Sequence, residues 1–264
     1  PYKVASITPV VVDTDTTSLI LGITIMYDSS ATTYTADQIT SLVSTTVSNY
    51  NSADLQTFNA PFRHSKILGL IDNTDTSILN SVVTVTMAKL FTPTISTATD
   101  YRINFNNKFY NPHSGHNATA GGIIASTGFY LNSVTTTTYF FDDDGVGNLR
   151  IYYLVSGVRT YTNNAAGTVD YINGLITIGS IIITGVAEVD GTTSSQIRVT
   201  SLPNSNDITP VRNQILEIDL QNTTYNGSVD TTTSTGVGYS TTTTSTGTTT
   251  TVASVSSTPS SSAY

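Results

Sequence analysis

SLILGITIMYDSSATTYTADQITSLVSTTVSNY, residues 18–50, changes its hydrophobic period midway, and that change decides the fold class. Over residues 18–27, Leu19, Leu21, Ile23, Ile25 and Tyr27 share one face while Gly22 and Thr24 take the other, which is the period-two pattern of a strand. From Thr35 the spacing turns helical: Ile39, Leu42, Val43, Val47 and Tyr50 recur along one side and Ser and Thr fill the opposite one. Thr35 and Gln38 stand at the two positions of a capping box, which predicts the helix start.

Working outward, a shorter helix is predicted within residues 63–71, with Phe62, Ile67 and Ile71 as its buried stripe and Asp-Asn-Thr-Asp at 72–75 as its end. Residues 81–91, SVVTVTMAKLF, return to period two with Val83, Val85, Met87 and Phe91 on one face. The order strand, helix, helix, strand predicts a β-α-α-β unit whose helices cover one side of a small sheet and leave the other side free, a surface suited to assembly. From about Thr97 short runs of Tyr, Phe, Ile and Val alternate with turn residues every 8 to 12 positions, which predicts an antiparallel β-rich region. Ser156-Gly157 leads from one such run into VRTYTN, and Asn173-Gly174 is a pair typical of a tight hairpin. SQIRVTS and NQILEIDL close it. Beyond Asn222 the sequence is almost wholly Thr, Ser and Gly, with Asp230 its single charge. Such a segment has too few apolar groups to offset chain entropy and reads as a separable low-complexity tail. The expected organisation is therefore α+β and predominantly β, with an α+β unit over residues 1–96, an antiparallel β-rich domain over 97–222 and a Thr/Ser-rich tail over 223–264.

Composition excludes several functions. The 264 residues are 38% hydrophobic, enough for a core, but only 11% charged, with ten basic and eighteen acidic side chains and a net charge of −8. The basic residues are scattered singly, so nucleic-acid binding is not expected. With no cysteine there is neither a disulfide framework nor a thiolate metal site. No apolar run approaches the roughly 18 residues of a membrane span. The chain starts at Pro1 without a signal-peptide pattern, and its N-terminus reads as internal to a longer polypeptide.

The densest ionisable cluster is FFDDDGVGNLRIYY, residues 140–153. An EF-hand loop places its acids at alternate positions and ends in a bidentate Glu; here Asp142, Asp143 and Asp144 are contiguous and no late Glu follows, so Asp143 points away from its neighbours. A hairpin turn is the favoured reading and an ion site the alternative, with Gly145 and Gly147 supplying positive φ and the aspartates solvated at the tip. Arg150 occupies the position a dinucleotide loop reserves for its third glycine, and no helix follows. His113 and His116 lie in a loop where one metal could take both rings, but no third ligand is evident, and surface histidines are expected. His64 is expected to be structural. Asp170 and Glu188 are an acidic pair that a glycosidase reading leaves open. The glycosylation triplets at Asn117, Asn222 and Asn226 are expected from chance in so Ser/Thr-rich a chain. No catalytic, cofactor-binding or metal-binding residue is assigned.

The strand and capped helix, then YNSADLQTFNAPFRHSKILGLIDNTDTSILNSVVTVTMAKLF, FFDDDGVGNLRIYYLVSGVRTYTNNAAGTVDYINGLITI and NSNDITPVRNQILEI, together resemble the C-terminal half of the large baseplate wedge protein of T-even-type contractile-tailed bacteriophages, in the broader baseplate J-like family. The resemblance runs in order over about residues 1–222 and does not include the Thr/Ser tail. It implies a structural, non-enzymatic protein of the virion tail. Its partners would be other copies of itself and other wedge proteins, joined into a ring around the tail tube that relays the rearrangement triggering sheath contraction. The alternative is a carbohydrate-binding or adhesion module with a Ser/Thr-rich linker, in which exposed tyrosines stack on sugars; the absence of Trp weakens it.

Overall fold

A computed structural model describes residues 15–116, 122–189, 191–211 and 213–231. The fold is α+β and predominantly β, as the periodicities predict. Its first part runs β1 (Asp15–Tyr27), α1 (Ala36–Tyr50), a π-helical turn (Asn51–Leu55), α2 (His64–Asp72) and β2 (Ile78–Phe91). β1 buries Leu19, Leu21, Ile23, Ile25 and Tyr27, and β2 pairs antiparallel with it, setting Ile23 opposite Val83 and Leu21 opposite Val85. The capping box forms: Thr35 Oγ1 accepts from the Gln38 amide at 3.3 Å and Gln38 Oε1 accepts from the Thr35 amide at 2.9 Å. Ile39, Val43, Val47 and Tyr50 of α1 are buried, but Leu42, expected on that stripe, is exposed. Its position lies where the stripe meets solvent, and the serine and threonine face begins there.

α2 buries Ile67 and Ile71 and ends at Asn73, within the Asp-Asn-Thr-Asp signal. Arg63 at its N-cap makes no side-chain cap; Asp207, far along the chain, accepts from the His64 amide at 2.8 Å and from Arg63 Nη1 at 3.0 Å. Those bonds hold the Asp207 carboxyl below its ordinary pKa, the His64 amide contributing most. His64 Nε2 lies 2.8 Å from the Val83 carbonyl oxygen and ties the start of α2 to β2, the structural role expected of it.

The later strands are β3 (Ala98–Asn104), β4 (Ile124–Ser126), β5 (Phe129–Leu131), β6 (Val134–Asp143), β7 (Asn148–Val155), β8 (Val158–Asp170), β9 (Leu175–Val186), β10 (Ile197–Ser201), β11 (Gln214–Ile218) and β12 (Thr224–Val229). Six of them form a second, antiparallel sheet in the order β3-β9-β5-β6-β7-β8. It curls into a barrel-like form because β9 pairs with β8 over 175–178 and with β5 over 183–186. Ser156 and Gly157 both have positive φ in the two-residue β7–β8 turn. Asn132 and Ser133 make an equivalent turn between β5 and β6 without a glycine to announce it.

Two expectations about chain order are corrected. The region after Thr97 does not stay in one antiparallel sheet: β4 and β10 extend the first sheet beyond β2, while β11 and β12 pair with β1 in parallel, giving the order β11-β1-β2-β10-β4 with β12 also on β1. β1 is apolar on its helix-facing side and too exposed at its second edge to stand alone, and these late strands complete its ladder. The tail expected from residue 223 likewise begins inside the fold, because TYNGSV forms β12 and Tyr225 packs against the core beside α1. Alternation, rather than overall apolar content, makes that segment a strand. Residues 232–264 lie outside the described residues.

One continuous apolar core joins both sheets. It runs from Leu21, Ile39 and Ile67 through Phe105 and Phe109 to Phe129, Phe141 and Ile176. Phe129 stacks on Phe141 at 4.5 Å between ring centroids. Buried polar groups pin the joints. Asn51 accepts from the Ile218 amide at 2.7 Å at the end of β11, and Gln214 Nε2 donates to Thr17 Oγ1 at 2.7 Å. Among the described residues no helix is long and apolar enough to cross a membrane.

Candidate functional site

The acidic cluster is the first place to look for chemistry. β6 and β7 pair as far as Asp143 opposite Leu149, and the chain turns through Asp144, Gly145, Val146 and Gly147. Gly145 and Gly147 have φ of 77° and 113°, so the turn reading holds. The solvated tip does not. Asp142 and Asp143 are both 0% exposed, and the strand alternation sends them to opposite sides. Asp142 accepts from Arg150 Nε at 2.9 Å, Arg159 Nη1 at 2.8 Å and the Tyr161 hydroxyl at 2.8 Å. Asp143 accepts from the Ile124 amide at 2.9 Å and the Tyr171 hydroxyl at 2.6 Å. Their oxygens are saturated by donors, which is why they can be buried at all. Asp144 alone serves the turn, accepting from the Val146 and Asn148 amides and from the Asn148 side chain. Burial pushes its pKa up, but those bonds outweigh it and hold the carboxyl below the ordinary value. The Tyr171 phenol is pushed far up, first by burial and then by the bond to Asp143. The cluster therefore locks the β6–β7 hairpin onto β8 and β4, with Arg150 as a strut rather than a substitute for a glycine.

Of the remaining sequence candidates, Asp170 and Glu188 do not converge. Asp170 caps its own turn, accepting from the Ile172 and Asn173 amides and the Asn173 side chain. It sits before the start of β9 and Glu188 lies beyond the end of that strand. At about 3.3 Å per residue, twelve residues of strand part them by on the order of 40 Å along the chain, far beyond the roughly 5–9.5 Å of a glycosidase pair. Asn222 donates to Asp219, Asn226 lies on β12, and Asn117 lies outside the described residues. His113 and His116 come together, with rings 4.8 Å apart. No group of three or more His, Cys, Asp or Glu with metal-holding geometry occurs among the described residues.

What the fold does present is a broad surface. The helices and the barrel lie on the core side of the first sheet, and the opposite side carries the residues that alternate with the core. On β1 these are Ile20, Gly22, Thr24 and Met26; on β2 they are Val82, Thr84, Thr86 and Leu90. Val82 is 49% and Leu90 56% exposed. Gly22 keeps the middle of this face flat: the Thr84 hydroxyl lies across it, 3.3 Å from the Gly22 carbonyl oxygen, and a Cβ at position 22 would come within 2.5 Å of that hydroxyl.

Toward β10 the face deepens into a groove of about 420 Å3 floored by Ala88 and Ser18 and rimmed by Leu90, Arg198 and Leu220. The rim arises because residues 219–223, between β11 and β12, loop outward from the strand line. Asp219 holds the loop shut by accepting from the Asn222 amide and side chain, and its carboxylate meets Arg198 at 3.5 Å. Ser18 donates to Glu217 at 3.1 Å. Arg198 and Asp219 match each other's charge and Glu217 is held by the Ser18 hydroxyl, leaving a surface mainly of threonines and a few aliphatics. Such a surface recognises a partner by shape and apolar contact, with little long-range steering. The free face was legible in the strand–helix–helix–strand order; Leu90, Arg198 and the 219–223 loop as its groove were not, because β10 and β11 come from the far end of the chain.

Residues 18–90 match the family described as baseplate structural protein gp6, C-terminal domain III. No curated protein matches the chain significantly. The family match supports a phage baseplate protein of the virion tail with a structural role, working in assembly with other baseplate proteins.

Proposed function

We propose that this chain is a component of a phage baseplate wedge, in which copies of it join neighbouring wedges into a ring around the tail tube and relay the rearrangement that triggers sheath contraction. The observation that carries the proposal is a coincidence of position: the segment that matches the baseplate family, residues 18–90, is the one that supplies Ile20, Val82 and Leu90 to the uncovered face. The resemblance to baseplate J-like proteins extends the same reading along the rest of the fold, with residues 1–96 as the unit that bears the contact. The partners are other copies of the chain and other wedge proteins, without nucleic acid or membrane, and assembly takes place in the host cytoplasm. A face poor in unpaired charge and moderate in apolar area suits a contact that must be remade when the baseplate changes state, since an extensively apolar interface would hold one arrangement too firmly.

The test is cross-linking in purified tails with a photoreactive residue at position 82 or 90. Links from these positions to a second copy or to another baseplate chain are expected. If every link returns to the same chain, the face is not an assembly surface and the proposal fails.

A further inference from the structure

Among the described residues β12 pairs with β1 alone, so it stands at the edge of the first sheet with its outer side bare. The Asp230 amide donates to the Tyr27 carbonyl at 2.8 Å, which fixes which groups of β12 face inward. In a strand paired on one side, every second residue turns its N–H and C=O toward the partner. Asn226 and Ser228 therefore bond to β1, and Tyr225, Gly227 and Val229 point their backbone groups away from it. Among the described residues no group accepts from those three amides or donates to those three carbonyls.

Other strand edges of the fold are guarded. On β11 the outward-pointing Ile218 amide is taken by Asn51 Oδ1 at 2.7 Å. β4, on the far side of the same sheet, is three residues long, and Asp143 takes its Ile124 amide at 2.9 Å. In the barrel, β3 carries exposed Asp100 and Arg102 and a break in register at residues 99–101. Shortness, charge and bulges are the usual means of keeping an edge from pairing further. TYNGSV has none of them: it is six residues long, unbroken in register against β1, and free of charge and proline.

The chain that follows matches this edge. It leaves Asp230 still bonded to β1, so the next residues start where the edge ends. Gly236 and Gly238 offer a turn, and YSTTTTST, residues 239–246, comes directly after. Thr favours extended backbone, and this run carries neither charge nor proline to oppose pairing. A short connection presents it to β12 at an effective concentration on the order of millimolar, above that of a free second chain. We propose that residues 239–246 fold back antiparallel onto β12 as a further edge strand, meeting the outward backbone groups of Tyr225, Gly227 and Val229. Main-chain bonds carry such a contact, so a run of nearly identical side chains suffices.

Amide hydrogen exchange of the 264-residue chain, read residue by residue, tests this against a variant carrying Thr242→Pro and Thr243→Pro. Adjacent prolines remove an inward-facing donor whichever way the run is registered. The Tyr225, Gly227 and Val229 amides should exchange about tenfold or more slower in the parent than in the variant, while Asn226 and Ser228 exchange alike in both. The protection should be unchanged on hundredfold dilution. Fast exchange of the three amides in the parent, or full protection in the proline variant, overturns the proposal. Protection that fades on dilution also overturns it, because the edge is then covered by a second copy.

Discussion

The two sheets solve the same problem, burying one side of a β surface, with opposite chemistry. The first does it mostly with hydrocarbon: Leu19, Leu21, Ile23 and Ile25 face Ile39, Val43, Ile67 and Ile71, and its one buried charge on β2, Lys89, is paired with Asp15 at the start of β1. Each such side chain is worth about 1.5–3 kcal/mol of burial, and a change of one methyl group costs only a part of that. The second sheet buries two whole carboxylates at its β6–β7 hairpin and surrounds them with Arg150, Arg159, Tyr161 and Tyr171. Polar burial of that kind tolerates little change, since removing one partner strands a charge where water cannot reach it. The lesson is that strand against strand reveals nothing of how a sheet fails; the side chains inside it do.

The sharpest way to break this contrast is to remove charge without changing shape. Asp142→Asn should destabilise by about 3–5 kcal/mol, because Arg150 and Arg159 are left facing a neutral amide. Ile23→Val, a larger change in volume at an equally buried site, should cost only about 0.5–1.5 kcal/mol. Urea denaturation of both variants measures the difference, and an asparagine variant no weaker than the valine one would erase it.

Tyr171→Phe comes next, with about 1.5–3 kcal/mol lost at neutral pH for a hydrogen bond to a charged acceptor. It also carries a pH signature. Burial raises the Tyr171 phenol above its unfolded value of about 10, as it does for Tyr152, Tyr161, Tyr50 and Tyr225. The stability tied to these protonated phenols is fully present below about pH 10 and is lost as pH rises toward their folded-state values, because the unfolded chain releases protons first. Denaturation series at pH 8 and above pH 10 should show the parent weakening, and Tyr171→Phe weakening less steeply. Equal slopes would remove Tyr171 from the account.

Truncation tests the hydrocarbon side. A chain ending at residue 221 lacks β12, with its Tyr225 packing and the bond from the Leu21 amide to Thr223 Oγ1, and should melt below one ending at 231 by the equivalent of about 1–3 kcal/mol. Matching melting curves would show that β12 is dispensable to the first sheet. The smallest effect on stability is expected on the uncovered face. Val82→Lys and Leu90→Glu should shift the isolated chain by less than about 0.5 kcal/mol yet block incorporation into tails. A large loss of stability would place those side chains in the core of the fold, against their exposure.

How much of this could be read beforehand depended on distance along the chain. The capping box of α1, the stripe of α2 and the alternation of β1 and β2 are complete within a dozen residues or so, and each was legible. The cap of α2 was not, because Asp207 supplies it from 143 residues away. The return of β10, β11 and β12 to the first sheet was hidden for the same reason: period two marks a strand but not its neighbour. The buried aspartates were misread because polarity suggests solvent. A signal was available, for once the turn at 144–147 is drawn, the register sets Asp142 directly opposite Arg150. Arg159, Tyr161 and Tyr171 look like ordinary surface residues until the barrel closes around them. The histidine pair was legible as two residues in one loop, but the contact between their rings was not.

The late pairing of β1 also sets a clock. Ser18 and its partner Glu217 stand 199 residues apart, so a ribosome adding about 5–20 residues per second leaves roughly 10–40 s between the emergence of β1 and the arrival of β11. The helices and β2 emerge early enough to cover its apolar side during that interval, yet among the described residues no earlier strand pairs with its second edge. Nascent copies translated side by side from one message carry the same bare edge at the same time, and a strand donated from a neighbour would fit it as well as the proper one. The order of the strands thus makes the last tenth of the described chain a guard against exchange between newly made molecules.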